Sequence, residues 1–390
     1  MSATRIVLFF SIFTAVVCGL HYYVWARLIR DPALPGVWPR ALTAVLIGLA
    51  LSMPLSLVVS RLFPSALLRP LYFFVFLWMG VGFLLAAFFF AVDVGRFLTE
   101  GALWLTARLG GPERPADPAR RLLLARAIAG TVGFGVAGLS AVGLRSALGA
   151  VQVKELEVPI KNLPAALAGL RLVQISDVHI GPLLRKEWLQ GVVARIRSLA
   201  PDLIAITGDL VDGSVAELSA QTAPLAGLSA PRGVWFVTGN HEYYSGVDEW
   251  LEHLPRLGIR PLLNERVEVA PGLDLAGIND HTATGPGHRP DLPRALAGRD
   301  ERRPLILLAH QPRQFLEAAQ LGVDLTLCGH THGGQIWPFS WLVGLAQPYV
   351  AGLHRRGDAQ IYVSRGTGFW GPPLRVFAPA EITLLRLRPA

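Results

Sequence analysis

The sequence predicts an α/β domain over residues 151–390, preceded by an all-α bundle of four membrane-crossing helices over residues 1–150. Three observations carry this. Residues 1–150 hold four apolar stretches long enough to cross a bilayer, which takes about 20 residues of helix. Residues 151–390 hold five strand-length runs rich in Val, Ile and Leu, each ending in a residue suited to metal or phosphate. The charge divides the same way: 13 Arg and 5 acids in the first part give a net of +8, while 23 basic and 23 acidic residues cancel in the second.

The apolar stretches run over residues 6–26, 37–59, 71–94 and 122–144. The third is dense in Phe, and the fourth carries Gly130, Gly133, Gly135, Gly138 and Gly143, which fit either close helix packing through small residues or a weak, export-signal-like segment. A single cleavable leader does not account for four such stretches. Arginines favour cytoplasmic loops. Loop one has Arg27, Arg30 and Arg40, and loop three has Arg96, Arg108, Arg114, Arg120 and Arg121, against Arg61 and Arg69 in loop two. The expected protein is therefore a multi-pass inner-membrane (cell-membrane) protein whose C-terminal domain is extracytoplasmic. Arg120-Arg121 before a Gly/Ala-rich run also resembles a twin-arginine export signal, or stands as two arginines at a helix start. The Pro/Gly-rich stretch 110–118 is expected to be a loop.

A mean hydropathy of +0.42 comes from the first part, and so does the basic pI. A nucleic-acid binder would carry its excess charge on the binding domain, so this balance argues against nucleic acid as a partner. Cys18 and Cys328 are too few for a disulfide framework, and Cys328, ending a strand, reads as a small buried side chain. The alternation of Val, Lys and Glu after Val151 predicts a first edge strand.

The five runs end, in order, in Asp177-Val-His179, Gly208-Asp209-Leu-Val-Asp212, Gly239-Asn240-His241-Glu242, His310 and Gly329-His330-Thr-His332. Each alone is weak, because Gly-Asp and Gly-Asn usually mark turns. As an ordered set they place Asp177, His179, Asp209, Asn240, His310, His330 and His332 at the carboxyl ends of strands, where open α/β sheets keep their sites. The mixture of carboxylate and imidazole suits Mn, Fe, Zn or Co better than Ca or Mg.

This order of motifs resembles the calcineurin-like metallophosphoesterase superfamily over roughly residues 165–385. The residues after His241 and the closing Gly366-Thr-Gly-Phe-Trp-Gly-Pro-Pro-Leu-Arg375 are similar to its membrane-associated bacterial branch, and the preceding multi-helix segment resembles that of transmembrane proteins with a metallophosphoesterase domain. The resemblance implies a four-layer αββα sandwich and a dinuclear metal site. It assigns Asp177, His179, Asp209 and His332 to one ion and Asp209, Asn240, His310 and His330 to the other, with Asp209 bridging. The glycine before Asp209 and its two carboxylate oxygens suit that role. It implies hydrolysis of phosphate ester or pyrophosphate bonds by a metal-bridging hydroxide, with Asn240 holding phosphoryl oxygen and His241 protonating the leaving oxygen. Asp212 is expected to orient its neighbours.

The membrane half directs the substrate expectation toward a lipid-linked phosphate. The alternative is a non-catalytic membrane sensor or assembly protein, which a missing ligand would mark; none is missing. A transporter would need intramembrane ionisable groups, and only His21 and Asp93 qualify. Arg365 and Arg375 are candidates for substrate phosphate or for surface ion pairs, His281 for a pocket wall or a polar loop tip. Tyr243, Tyr244, Trp337, Trp341, Phe369 and Trp370 are candidates for an apolar rim or for the core. Nothing in the sequence identifies a protein partner.

Overall fold

A computed structural model describes residues 3–62, 66–110 and 117–390. Two compact units result: Met1–Val142 with Gly371–Pro373, and Gly143–Trp370 with Leu374–Ala390.

The first unit is helical, with α1 at Ala3–Trp25, α2 at Trp38–Leu62, α3 at Arg69–Arg108 and α4 at Pro118–Leu148. Each contains a stretch long and apolar enough to cross a membrane. α1 continues through one π-helical turn at Ala26–Arg30. α3 differs from expectation: its 40 residues span about 60 Å, twice the hydrocarbon thickness, so Arg96 and Arg108 lie on a helix and not in a loop. The rest of the loop expected at 110–118, with Arg114, falls at 111–116, outside the described residues. Among the described residues, an added Cβ at Gly130, Gly135 or Gly138 of α4 would meet nothing within 4 Å, so these glycines make no close packing with them. The two ionisable side chains singled out above are engaged within the unit. His21 Nε2 accepts from Trp78 Nε1 at 2.9 Å, and Asp93 accepts from Tyr23 Oη at 2.5 Å and Arg27 Nε at 2.9 Å.

The second unit holds twelve strands: β1 Gln152–Ile160, β2 Arg171–Ile175, β3 Leu203–Thr207, β4 Val234–Val237, β5 Ile259–Pro261, β6 Glu265–Ala270, β7 Leu273–Gly277, β8 Leu305–Leu308, β9 Leu325–Cys328, β10 Gly352–Arg356, β11 Ala359–Val363 and β12 Glu381–Pro389. They form two six-stranded sheets, ordered β1-β12-β2-β3-β4-β5 and β10-β11-β9-β8-β7-β6. The strand after Val151 is an edge, as its half-polar alternation predicts. The helices are α5 Lys186–Ser198, α6 Val215–Thr222, α7 Asn240–Ser245, α8 Val247–His253, α9 Leu292–Leu296, α10 Phe315–Gln320 and α11 Phe339–Ala346.

Period-2 alternation of entirely apolar strands explains the layering. In β3, Leu203 and Ala205 face the other sheet, where they meet Ile306, Leu308 and Leu327. Ile204 and Ile206 point the opposite way, onto a cluster with Leu189, Val193 and Ile196 of α5 and Trp250 of α8. The second sheet does the same outward through Leu305, Leu307 and Ile361 onto Phe315 and Ala318 of α10. Helices therefore cover both outer faces, giving a four-layer αββα sandwich. Cys328 lies in that last cluster, and burial pushes its thiol well above the ordinary range, which leaves no nucleophile there.

Candidate metal centre

The strand-end residues meet where the two sheets share an edge. β2, β3 and β4 contribute from one sheet, β8 and β9 from the other, so the site belongs to two converging sheets and not to the edge of one. Backbone bonds lace the loops together beyond the strands: Asp177 N donates to Gly208 O, His179 N to Asp209 O, and Gly329 N to His310 O, at 2.9 to 3.1 Å.

The tight approach dictates the glycines. A Cβ at Gly208, where φ is +84°, would come within 2.6 Å of Gly239 N and 2.7 Å of His310 Nδ1, and one at Gly239 would collide with the Asp209 carboxylate. Asp177, His179, Asp209, His330 and His332 all adopt φ between +51° and +71°. Side-chain-bearing residues rarely do so, and such strain collects at functional sites.

Among the described residues, three groups of ligand-type atoms lie within 4.8 Å of one another: Asp177, His179 and His332; His179, Asp212 and His241; Asp209, His310 and His330. Within them the imidazoles are aimed. His310 Nδ1 donates to Thr207 O at 2.8 Å, which leaves Nε2 bare toward Asp209 Oδ2 at 3.2 Å and His330 Nδ1 at 3.2 Å. His179 Nδ1 donates to Asp212 Oδ1 at 2.9 Å, and its Nε2 lies 3.0 Å from His332 Nε2. Ring nitrogens facing each other, with the second nitrogens of His310, His179 and His332 engaged elsewhere, are the arrangement in which a cation relieves lone-pair repulsion. Asn240 opens α7, and its Oδ1 is buried with no hydrogen-bond partner among the described residues. An orphaned buried acceptor of this kind fits a cation.

Asp212 Oδ1 also accepts from His241 Nδ1 at 2.6 Å, so one carboxylate holds two histidines. His241 Nε2 then lies 4.0 Å from Asp209 Oδ2, and Tyr244 and Trp370 flank the ring at 5.3 and 5.7 Å. Burial opposes ionisation of Asp209, but His310, His179 and His241 overcome it and draw the carboxyl far below its ordinary range. Burial likewise opposes a charge on His179, yet Asp212, Asp209 and Asp177 raise it to about 9. Burial together with the charge on His310 lowers His330 to about 4.

Several expectations are corrected. Arg375 is neither a phosphate ligand nor a surface residue. It is buried, its guanidinium donates to the carbonyls of His332, Arg365, Gly368 and Ala378, and burial lowers it to about 10. Its role is to brace the loop that carries His332. Arg365 pairs with Glu381 at 3.4 Å. His281 is exposed, 3.5 Å from Arg313 Nη1, apart from the histidine cluster. Phe369 is core, whereas Tyr244 and Trp370 form an exposed aromatic rim beside His241.

Glu242 is the residue whose role sequence reasoning missed. Fully buried, it accepts from the backbone N–H groups of Asp209, Leu210 and Gly239 at 3.0, 2.7 and 2.6 Å, tying the β3 loop to the β4 loop. Burial, then Asp209, push it up to about 7. The available signal was its place at the third helical position after a Gly cap.

Residues 170–334 match the calcineurin-like phosphoesterase family model. An uncharacterized metallophosphoesterase of Aquifex aeolicus is 33% identical over 242 residues, 61% of this chain and 92% of that protein. The chain belongs to the calcineurin-like metallophosphoesterase family. Another metallophosphoesterase, from Helicobacter pylori and also uncharacterized, is 41% identical over 250 residues, 63% of this chain and just under two thirds, 66%, of its own length. The Bos taurus transmembrane protein with metallophosphoesterase domain is 39% identical over 302 residues, covering 73% of this chain and 67% of that one.

Two outcomes follow from the metallophosphoesterase site without reference to activity. Glu242→Gln puts an amide N–H against backbone N–H donors, so a destabilisation of about 1–3 kcal/mol per orphaned group is expected in chemical denaturation; an unchanged midpoint would remove Glu242 as the tie. In metal-stripped protein, the raised His179 stabilises the fold fully below its ordinary 6.5 and loses that contribution as pH rises through about 9. Asp212, drawn down to about 2, contributes above its ordinary 3.8 and loses its share as pH falls through about 2. Thermal midpoints should therefore fall from neutral to alkaline pH more steeply in the wild type than in Asp212→Asn, and parallel curves would contradict the pairing.

Proposed function

We propose that this chain is a membrane-anchored phosphoesterase that uses two metal ions to hydrolyse a phosphate ester or pyrophosphate. The observation that carries the reading is the set of inward-facing imidazole nitrogens around Asp209, with His241 held at their margin by Asp212. Asp177, His179, Asp209 and His332 would hold one ion, and Asp209, Asn240, His310 and His330 the other. Such ions, of the Mn, Fe, Zn or Co class, supply positive charge against phosphoryl oxygens and make water nucleophilic at neutral pH.

The chain's own groups do the rest. Asp209 Oδ2 lies 3.2 Å from His310 Nε2 and 3.9 Å from His179 Nε2, so this carboxylate would serve both positions, and the bond from His241 N to Oδ1 at 2.9 Å fixes its tilt. Asn240 has a side-chain N–H to hold a phosphoryl oxygen while its carbonyl oxygen faces the ligand cluster. His241 is oriented through Nδ1, which leaves Nε2 to hand a proton to the departing oxygen. No side-chain nucleophile is required: Ser176 donates to Thr207 O, and Cys328 is buried.

Four candidate spans support an anchored protein, and the arginine distribution supports an extracytoplasmic domain on the inner membrane. A membrane-bound enzyme with Tyr244 and Trp370 at its site is suited to a lipid-linked phosphate as substrate.

The test uses the full chain in detergent with metal analysis and a panel of monoesters, diesters and lipid pyrophosphates. About two ions per chain are expected, and fewer in Asp209→Asn, with loss of hydrolysis. His241→Ala should cost about 10²- to 10⁴-fold with an alkyl or lipid leaving group and far less with p-nitrophenolate, which leaves without a proton. Equal losses on both would refute the acid role, and unchanged hydrolysis in Asp209→Asn would refute the metal reading. Protease added to spheroplasts should cleave the C-terminal domain; protection there, with cleavage in inverted vesicles, would reverse the orientation.

A further inference from the structure

The loop that follows His332 holds a feature the site does not use. Residues 333–353 contain no charged side chain, in a domain whose acids and bases are otherwise spread throughout, and the run ends in His354-Arg355-Arg356. Its middle forms α11, which buries none of its residues. Trp341, Leu342 and Leu345 are 69%, 55% and 85% exposed, and Phe377 beside them is 73% exposed. Trp337 gathers them, with its ring 5.6 Å from Trp341 and 6.0 Å from Phe377. Contiguous apolar exposure of this kind marks a contact surface.

We propose that α11 and Phe377 form a membrane-interfacial edge, buried among the headgroups of the bilayer that holds α1–α4. The proposal rests on those helices spanning the bilayer, as read above. Two observations select lipid as the occupant. Only residues 149–151 separate α4 from β1, so the chain passes from its last apolar helix into the domain without a long linker. The edge carries Trp, Phe and Leu, the composition of interfacial helices.

The edge is coupled to the metal centre. Gln335 exchanges two hydrogen bonds with the Trp370 backbone, at 2.8 and 3.0 Å, and the Trp370 ring flanks His241. An interfacial α11 would thus hold the mouth of the site at headgroup level, where a lipid-borne phosphate need not leave the bilayer.

Depth measurement tests this without any assay of hydrolysis. In a Cys18→Ser background, with Cys328 buried, Leu345→Cys is labelled with NBD in the full chain, and Arg302→Cys, on a distant exposed loop, serves as the reference. Both are reconstituted into nanodiscs of zwitterionic and anionic phospholipid, with and without doxyl lipid. The expected result is blue-shifted emission at position 345 with quenching at least threefold stronger than at 302. Equal quenching overturns the proposal. A blue shift that doxyl lipid leaves untouched, and that grows with protein concentration in detergent, assigns the edge to a second copy and also overturns it. Failure to co-purify with nanodiscs refutes the spans themselves, whereas co-purification with a water-exposed probe refutes only the interfacial edge.

Discussion

Asp209 is a buried carboxylate set where the end of one sheet meets the ends of another, and most of the local structure answers to it. Its backbone must leave β3 in a left-handed turn, so Gly208 precedes it and a second glycine, Gly239, passes against it. Its charge needs compensation at a buried position, so His310, His179 and His241 surround it. Glu242 lies close behind, tying down three backbone N–H groups at the cost of a second acid in the same pocket. Burial and Asp209 both resist its ionisation. Cations bound between the imidazoles would relieve that conflict, which makes metal binding and the integrity of these loops one problem.

The sandwich supplies the rigidity this requires. Strands with both faces buried cannot slip by one residue without exposing a whole apolar row, so the positions of their carboxyl ends are fixed. Loops bonded to one another beyond the strands carry that order into the ligands. Arg375 extends it further: by donating to four carbonyls it holds the segment after β9 against the segment before β12, and so sets the position of His332. A guanidinium buried this completely needs acceptors for its N–H groups, and these carbonyls supply them.

Much of this was legible in the sequence, for a physical reason. Strands that run to their ends on Val, Ile and Leu and stop at Asp, Asn or His leave few alternatives, and the four apolar stretches of the first 150 residues have no soluble equivalent. Where sequence reasoning went astray, the deciding contacts were remote. Arg375 looked like a substrate ligand or a surface ion-pair partner because arginine forks suit phosphate and carboxylate, yet its partners are carbonyls up to 43 residues away in the chain. α3 looked like a span followed by a basic loop because hydropathy falls after Val94, but a helix needs no apolar face to continue.

The sequence by itself determined the residue types of the site, their order, and the division into an apolar helical half and a neutral α/β half, because composition and period are local properties. Only the tertiary structure decided which imidazole nitrogens face one another, that Asp212 serves two histidines, and that Glu242 and Arg375 are internal braces. Those outcomes depend on hydrogen-bond partners brought together by two separate sheets, and no local pattern encodes which partner a buried polar group will find.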